Sequence, residues 1–116
     1  MSEFLHRNLP ENSAFPSGRG PLDPEVGFLS DRLRIYWRRS DDLSVEERPH
    51  AHRESDEAYV VLSGSLTLEV EGCAHVIGPR EFAFVPAGVS HRIAGLGQPV
   101  EALVIRAPGR ADTVGG

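Results

Sequence analysis

The sequence predicts an all-β domain, a single antiparallel β-barrel or jelly roll with an extended N-terminal arm. Three observations carry that prediction. From Arg32 onward, apolar and polar residues alternate with period two over short runs. Turn signals containing Gly, Pro or Ser separate those runs at close spacing. No stretch of ten residues carries a helical period, and "DDLSVEER" has room for one turn only. A chain of 116 residues can bury one core but not two.

Residues 1–27 are rich in Pro, Gly, Ser and Asn and lack periodicity, which reads as an extended arm or a loose tail. The barrel domain is expected over residues 28–110, with residues 111–116 as a C-terminal tail. In "RLRIYWRR", Leu33, Ile35 and Trp37 alternate with Arg32, Arg34, Tyr36 and Arg38, the pattern of a half-buried strand whose inward phase stays open. "AYVVL" is a second strand, and "SGS" is expected to turn the chain. "SLTLEV" places Leu66, Leu68 and Val70 on one face, opposite Ser65, Thr67 and Glu69, before a turn at Glu71 and Gly72. "CAHVI", "FAFV", "HRIA" and "EALVIR" complete the set, with a "PAG" turn ahead of "HRIA". Seven or eight such strands expose edges unless the sheet closes, and a closed sheet has an interior lined by every second residue.

Composition narrows the function classes. Twelve basic and seventeen acidic residues give a net charge of −5, which disfavours nucleic acid, since phosphate contacts need a positive face. All twelve basic residues are arginine, so no lysine is present to form a Schiff base. Cys73 is the only cysteine and forms no internal disulfide; it is expected to be a small buried hydrophobe. The first residues lack the pattern of a secretory signal, and no apolar run reaches the roughly 18 residues of a membrane span. The expectation is a cytoplasmic protein that meets a small molecule, with neither nucleic acid nor membrane as partner.

The chemistry concentrates in "RPHAHRESDEAYVVLSG". His50 and His52 stand two residues apart, so on a strand their imidazoles project from one face. Glu57 opens the next strand, and Tyr59 and Val61 continue its face. His91 follows the Pro86-Ala87-Gly88 turn. Three imidazoles and a carboxylate suit one divalent transition metal, Fe, Mn, Ni or Zn.

His50-x-His52, four residues, Glu57, six residues, Gly64 resembles the first motif of the cupin family, and Pro86-x-Gly88-x-x-His91 resembles the core of the second. The resemblance covers about Leu43 to Arg106. The glycine that usually opens the first motif is absent near Ser44 and Val45. Arg80 stands where the second motif usually opens on glycine, and Gly95 stands where a polar residue commonly closes it. These departures bear on loop shape. The resemblance implies a small β-barrel with the metal inside near one mouth, and often a homodimer, without choosing a reaction.

Four protein ligands on an octahedral ion leave two open positions, room for a bidentate substrate or for substrate and O₂ together. The functional expectation is a mononuclear metalloenzyme, with dioxygenase-like oxidation placed slightly ahead of isomerase or lyase chemistry. The alternative is a non-catalytic ligand-binding or sensory module. Tyr59 and Glu57 are the candidate proton carriers, although the plainer reading of Tyr59 is an aromatic that fills the barrel with its hydroxyl satisfied. Arg34, Arg38 and Arg106 become carboxylate anchors if their faces point inward. His75, His6 and outward-facing Arg92 are expected to do no chemistry, Trp37 and Phe84 to be core, and "SDD" and "EER" to be solvated charges.

Overall fold

The computed structural model describes Phe4, His6, residues 32–109 and residues 113–115. The expected arm, residues 1–27, lies outside them except for Phe4 and His6. Seven strands form: β1 (Arg34–Arg39), β2 (His50–His52), β3 (Asp56–Val70), β4 (Cys73–Ile77), β5 (Phe82–Val85), β6 (His91–Ala107) and β7 (Thr113–Gly115). The one helical segment among the described residues is a 3₁₀ turn at Ser40–Asp42.

All pairings are antiparallel, in the order β4-β3-β6-β2-β7, with β1 also on β6 and β5 also on β3. β3 and β6 are long and pair along their length, so each serves two layers of a jelly roll. The first half of β3 lies between β5 and the second half of β6, whose far edge holds β1. The second half of β3 lies between β4 and the first half of β6, next to β2. The strands do not hydrogen-bond into a closed ring among the described residues.

"SGS" does not turn the chain; it is the bend inside β3. The register shifts between Val61 and Ser63 and again between Ser63 and Ser65. Gly64 takes a φ of +68°, and a Cβ there would lie 2.2 Å from the Pro99 carbonyl oxygen. A bulge with glycine in the left-handed region lets a strand bend without ending. For the same reason "HRIA" and "EALVIR" are one strand, β6, bending opposite that bulge. Arg80 holds φ +66°, so the residue in the family's glycine position keeps the glycine conformation. Its N–H donates to the Val61 carbonyl at 2.8 Å, which places the loop before β5.

Tyr59, Val61, Leu66, Leu68, Val85, Ile93, Val100, Ala102 and Val104 form one core drawn from both layers. Each large apolar side chain contributes about 1.5–3 kcal/mol by leaving water. In β3, Leu66 and Leu68 point inward as the alternation requires, with Val70 packed against the core. The phase of β1 is settled by register. Arg34, Tyr36 and Arg38 oppose Arg106, Val104 and Ala102, all buried, so the polar face of β1 is the inward one. Trp37 is buried on the other face, its Nε1–H donating to Glu101 at 2.9 Å and the Arg39 guanidinium 4.5 Å from the indole.

Two expected core residues are not core. Phe84 is 58% exposed, because β5 turns its aromatic face outward, Phe82 with it, and gives Val85 and Ala83 to the interior. Cys73 is exposed, since β4 is an edge strand with little packed on either face. His75, also on β4, lies at the surface as expected.

Candidate metal centre

The four candidate ligands come from three strands that local chemistry holds in place. β2 carries His50 and His52, and its register sets His50 opposite His91 of β6. β3 carries Glu57. The polar bend between β2 and β3 is pinned by Ser55, whose hydroxyl donates to the Pro108 carbonyl at 2.6 Å, and by Asp56, which accepts from the Ala87 N–H at 3.0 Å. The Gly88 N–H donates to the His52 carbonyl at 2.8 Å, with Gly88 at φ +83°. The Pro86-Ala87-Gly88 turn thus fastens the second motif to the first.

The result is a compact donor set. His50, His52, Glu57 and His91 each offer a ligand atom, and these atoms lie within 4.8 Å of one another. His52, Glu57 and His91 are buried and His50 is half-buried. Glu57 is the hub: Oε1 lies 2.9 Å from His91 Nε2, Oε2 lies 3.4 Å from His52 Nε2, and the Tyr59 hydroxyl donates to Oε1 at 2.8 Å. His50 packs its ring 4.4 Å from that of His91.

The proton count shows that a cation fits. His91 Nδ1 sits 2.9 Å from the Val89 carbonyl, which only accepts, so Nδ1 carries the proton. Nε2 of a neutral ring then offers a lone pair, yet it faces the Glu57 carboxylate, another acceptor. Either the ring takes a second proton or a metal ion sits where lone pair and carboxylate meet. Ligating histidines typically donate their other nitrogen to a carbonyl, hydroxyl or carboxylate. His91 does so to Val89; His52 Nδ1 has the Thr113 hydroxyl at 3.1 Å, which can accept, and Arg106 Nη1 at 3.3 Å, which cannot; His50 Nδ1 lies 3.8 Å from Glu46.

Acidities follow the same geometry. Burial pushes the Glu57 carboxyl up, but the adjacent His52 and His91 imidazoles outweigh it and hold the group well below the usual carboxylate range. Burial lowers His50, and the neighbouring imidazoles add to that against the raising effect of Glu46. His91 is raised: burial works against its charge, but Glu57 and the Val89 carbonyl prevail. Burial and then the Glu57 charge push the Tyr59 hydroxyl well above its ordinary value, so it keeps its proton.

A cavity of about 400 Å³ opens onto the cluster. Tyr59, Tyr36, Arg38 and Arg106 are in its wall, so two of the three arginines singled out from sequence line the cavity. Arg34 stands behind them and donates to the Tyr36 hydroxyl at 3.0 Å. Arg92 points outward as expected and pairs with Glu69 at 3.1 Å. Sequence reasoning passed over three residues. Glu46, taken with "EER" as a solvated charge, accepts from the Ile93 N–H at 2.7 Å and lies beside His50. Tyr36 was read only as part of an alternating face. Thr113 fell in the expected tail and had no signal at all, because it reaches His52 only through the pairing of β7 with β2.

A jelly roll with three histidines and a glutamate converging inside defines a small all-β protein with a group placed to bind a metal ion. The cupin domain model matches residues 44–106, more than half of the chain, and the chain belongs to the cupin family. No curated protein matches it by sequence. Among solved structures it is similar to the Streptomyces nucleoside dehydratase Pac13, at 17% identity and TM-score 0.62, over 77% of this chain and 72% of that one. KdgF from a Halomonas species shares 22% identity at TM-score 0.60, over 70% and 74% of the two chains. The DMSP lyase DddQ from Ruegeria pomeroyi shares 24% identity at TM-score 0.65, over 89% of this chain and 50% of that one. At these identities the likeness establishes the fold.

Proposed function

We propose that this cupin is a mononuclear metalloenzyme acting on a small organic molecule, with His50, His52, Glu57 and His91 holding one Fe, Mn, Ni or Zn ion. The observation that supports it best is the convergence of the four side chains, with His50, His52 and Glu57 in the wall of an open cavity. When bound, such an ion acts as a Lewis acid on a substrate oxygen, or brings O₂ beside the substrate if it is iron.

The chain's own residues favour proton-transfer chemistry of the isomerase or lyase kind over the dioxygenase reading. Tyr59 lies in the cavity wall beside the cluster, and its hydroxyl donates to the Glu57 carboxylate at 2.8 Å. A hydroxyl so placed can hand a proton to a leaving group or an enolate at the cavity wall, a role that oxygen insertion does not require. Two structural neighbours, a nucleoside dehydratase and a DMSP lyase, support that preference. The dioxygenase reading rests on the ligand set alone. The protein is further proposed to act as a homodimer in the cytoplasm; among the described residues, no helix is long and apolar enough to cross a membrane.

Elemental analysis of protein purified without added metal, followed by O₂ uptake and product analysis over a panel of small organic acids, tests the proposal. One ion per chain and turnover without O₂ consumption is the expected result. His52→Ala should lose both ion and turnover, and turnover retained by that variant overturns the assignment.

A further inference from the structure

The metal end of the cavity adjoins a second cluster with the opposite electrostatic problem. Arg106 is 8% exposed, and it forms no ion pair among the described residues. Its Nη1 lies 3.3 Å from His52 Nδ1, its Nη2 donates to the Tyr36 hydroxyl at 3.4 Å, and its Nε is buried with no hydrogen-bond partner. Arg34, its cross-strand partner on β1, donates to the same Tyr36 hydroxyl at 3.0 Å and also leaves a buried Nε unmet. Arg38 places a third guanidinium 4.8 Å from the centre of the Tyr36 ring. Like charges directly opposite on paired strands are destabilising, and a buried charge without a counter-ion more so. Two arginines that share one neutral phenol therefore form a site short of an anion.

We propose that Arg106, positioned by Tyr36 and Arg34 and assisted by Arg38 at the cavity wall, binds a carboxylate of the substrate beside the metal, so that the substrate class is a small organic acid. The inference builds on the metal reading, but the arginines stand independently of it. A guanidinium fork matches a carboxylate edge in two parallel hydrogen bonds. Asp42 and Glu46 share the cavity wall, which favours at Arg106 a carboxylate group, with one negative charge, over a phosphate group, with up to two. Neither pairs with Arg106, whose guanidinium meets only His52 and Tyr36 among the described residues; Asp42 accepts from the Arg39 N–H at 2.9 Å and Glu46 from the Ile93 N–H at 2.7 Å. The two clusters are also joined through His52. An ion on Nε2 leaves the ring proton on Nδ1, where Thr113 Oγ1 can accept it. Arg106 Nη1 then has no acceptor at that ring and turns to the ligand.

Calorimetric titration of the Zn(II)-loaded protein, and of the same protein stripped with chelator, with succinate and with inorganic phosphate tests the assignment. Succinate is expected to bind the loaded form saturably and more tightly than phosphate does. Arg106→Met is expected to weaken succinate at least tenfold with zinc content unchanged, and to melt no lower than the wild type without ligand, because it removes an uncompensated buried charge. Arg106→Lys keeps the charge but loses the fork; it should weaken succinate several-fold, and it serves the same test if Arg106→Met does not fold. Unchanged succinate affinity in the variants, no succinate binding to either wild-type form, or preference for phosphate overturns the carboxylate subsite. Failure of the metal reading is seen separately, as no zinc uptake while the stripped protein still binds succinate in an Arg106-dependent way.

Discussion

β3 is one strand with two different interiors. Between Glu57 and Val61 its inward positions are Glu57, Tyr59 and Val61, two of the three polar at their tips. Between Leu66 and Val70 they are Leu66, Leu68 and Val70, all apolar. The pleat gives both halves the same alternation, and the Gly64 bulge lets each half serve its own layer. One half gathers groups that resist burial, and the other supplies apolar contact that offsets them. Stability and chemistry are therefore separable along a single strand.

The largest effect expected from that separation is on folding. Leu68→Ala should cost about 2–5 kcal/mol by opening a cavity in the apolar half, while the folded fraction keeps its metal content. Denaturant melts paired with elemental analysis check it, and loss of metal from the folded variant would break the comparison. Next comes Glu57→Gln in the polar half, which should lower metal affinity about 100-fold or more, since it replaces a charged ligand at the hub of the cluster. The same substitution should change the acid response of the metal-free protein. The Glu57 carboxyl is depressed, so its contribution is complete above its ordinary value of 4.5 and is lost as pH falls below it. His50 is also depressed, and its contribution is lost as pH falls below 6.5. His91 is raised, so its contribution is present below 6.5 and is lost as pH rises through its higher value. Melting temperatures measured from pH 7 downward should fall most steeply below 4.5 in the wild type, and Glu57→Gln should flatten that limb. The smallest effect is expected outside both halves. Arg80→Gly relieves a side chain held in the left-handed region and should raise stability by up to about 1 kcal/mol, read as a small upward shift in melting temperature.

Much of the site was legible because its signal is local. His50 and His52 share a strand face by spacing alone, and Glu57, Tyr59 and Val61 follow the same rule; all of them line the interior. What the sequence hid depends on contacts between distant segments. The alternation of β1 is equally strong on both faces, and only its register against β6 shows that Arg34, Tyr36 and Arg38 turn inward. Gly64 looks like a turn residue because turns and bulges draw on the same conformational freedom, and only the pairing partner tells them apart. Phe84 looks like core by its chemistry, but β5 is too short for period two to fix its phase. Glu46 looks like one more exposed acid until β6 supplies the N–H it accepts from.

Placing the ligands on β2, β3 and β6 has a mechanical consequence. An ion held by all four would act as a clasp, fastening the adjacent strands β2 and β3 to β6, more than thirty residues further along the chain, at one point on the cavity. Because the unfolded chain has no such arrangement, every gain in occupancy draws the folding equilibrium toward the native state, by about 2.7 kcal/mol when free ion stands at a hundred times its dissociation constant. Heat resistance in this small barrel would then rise and fall with metal supply.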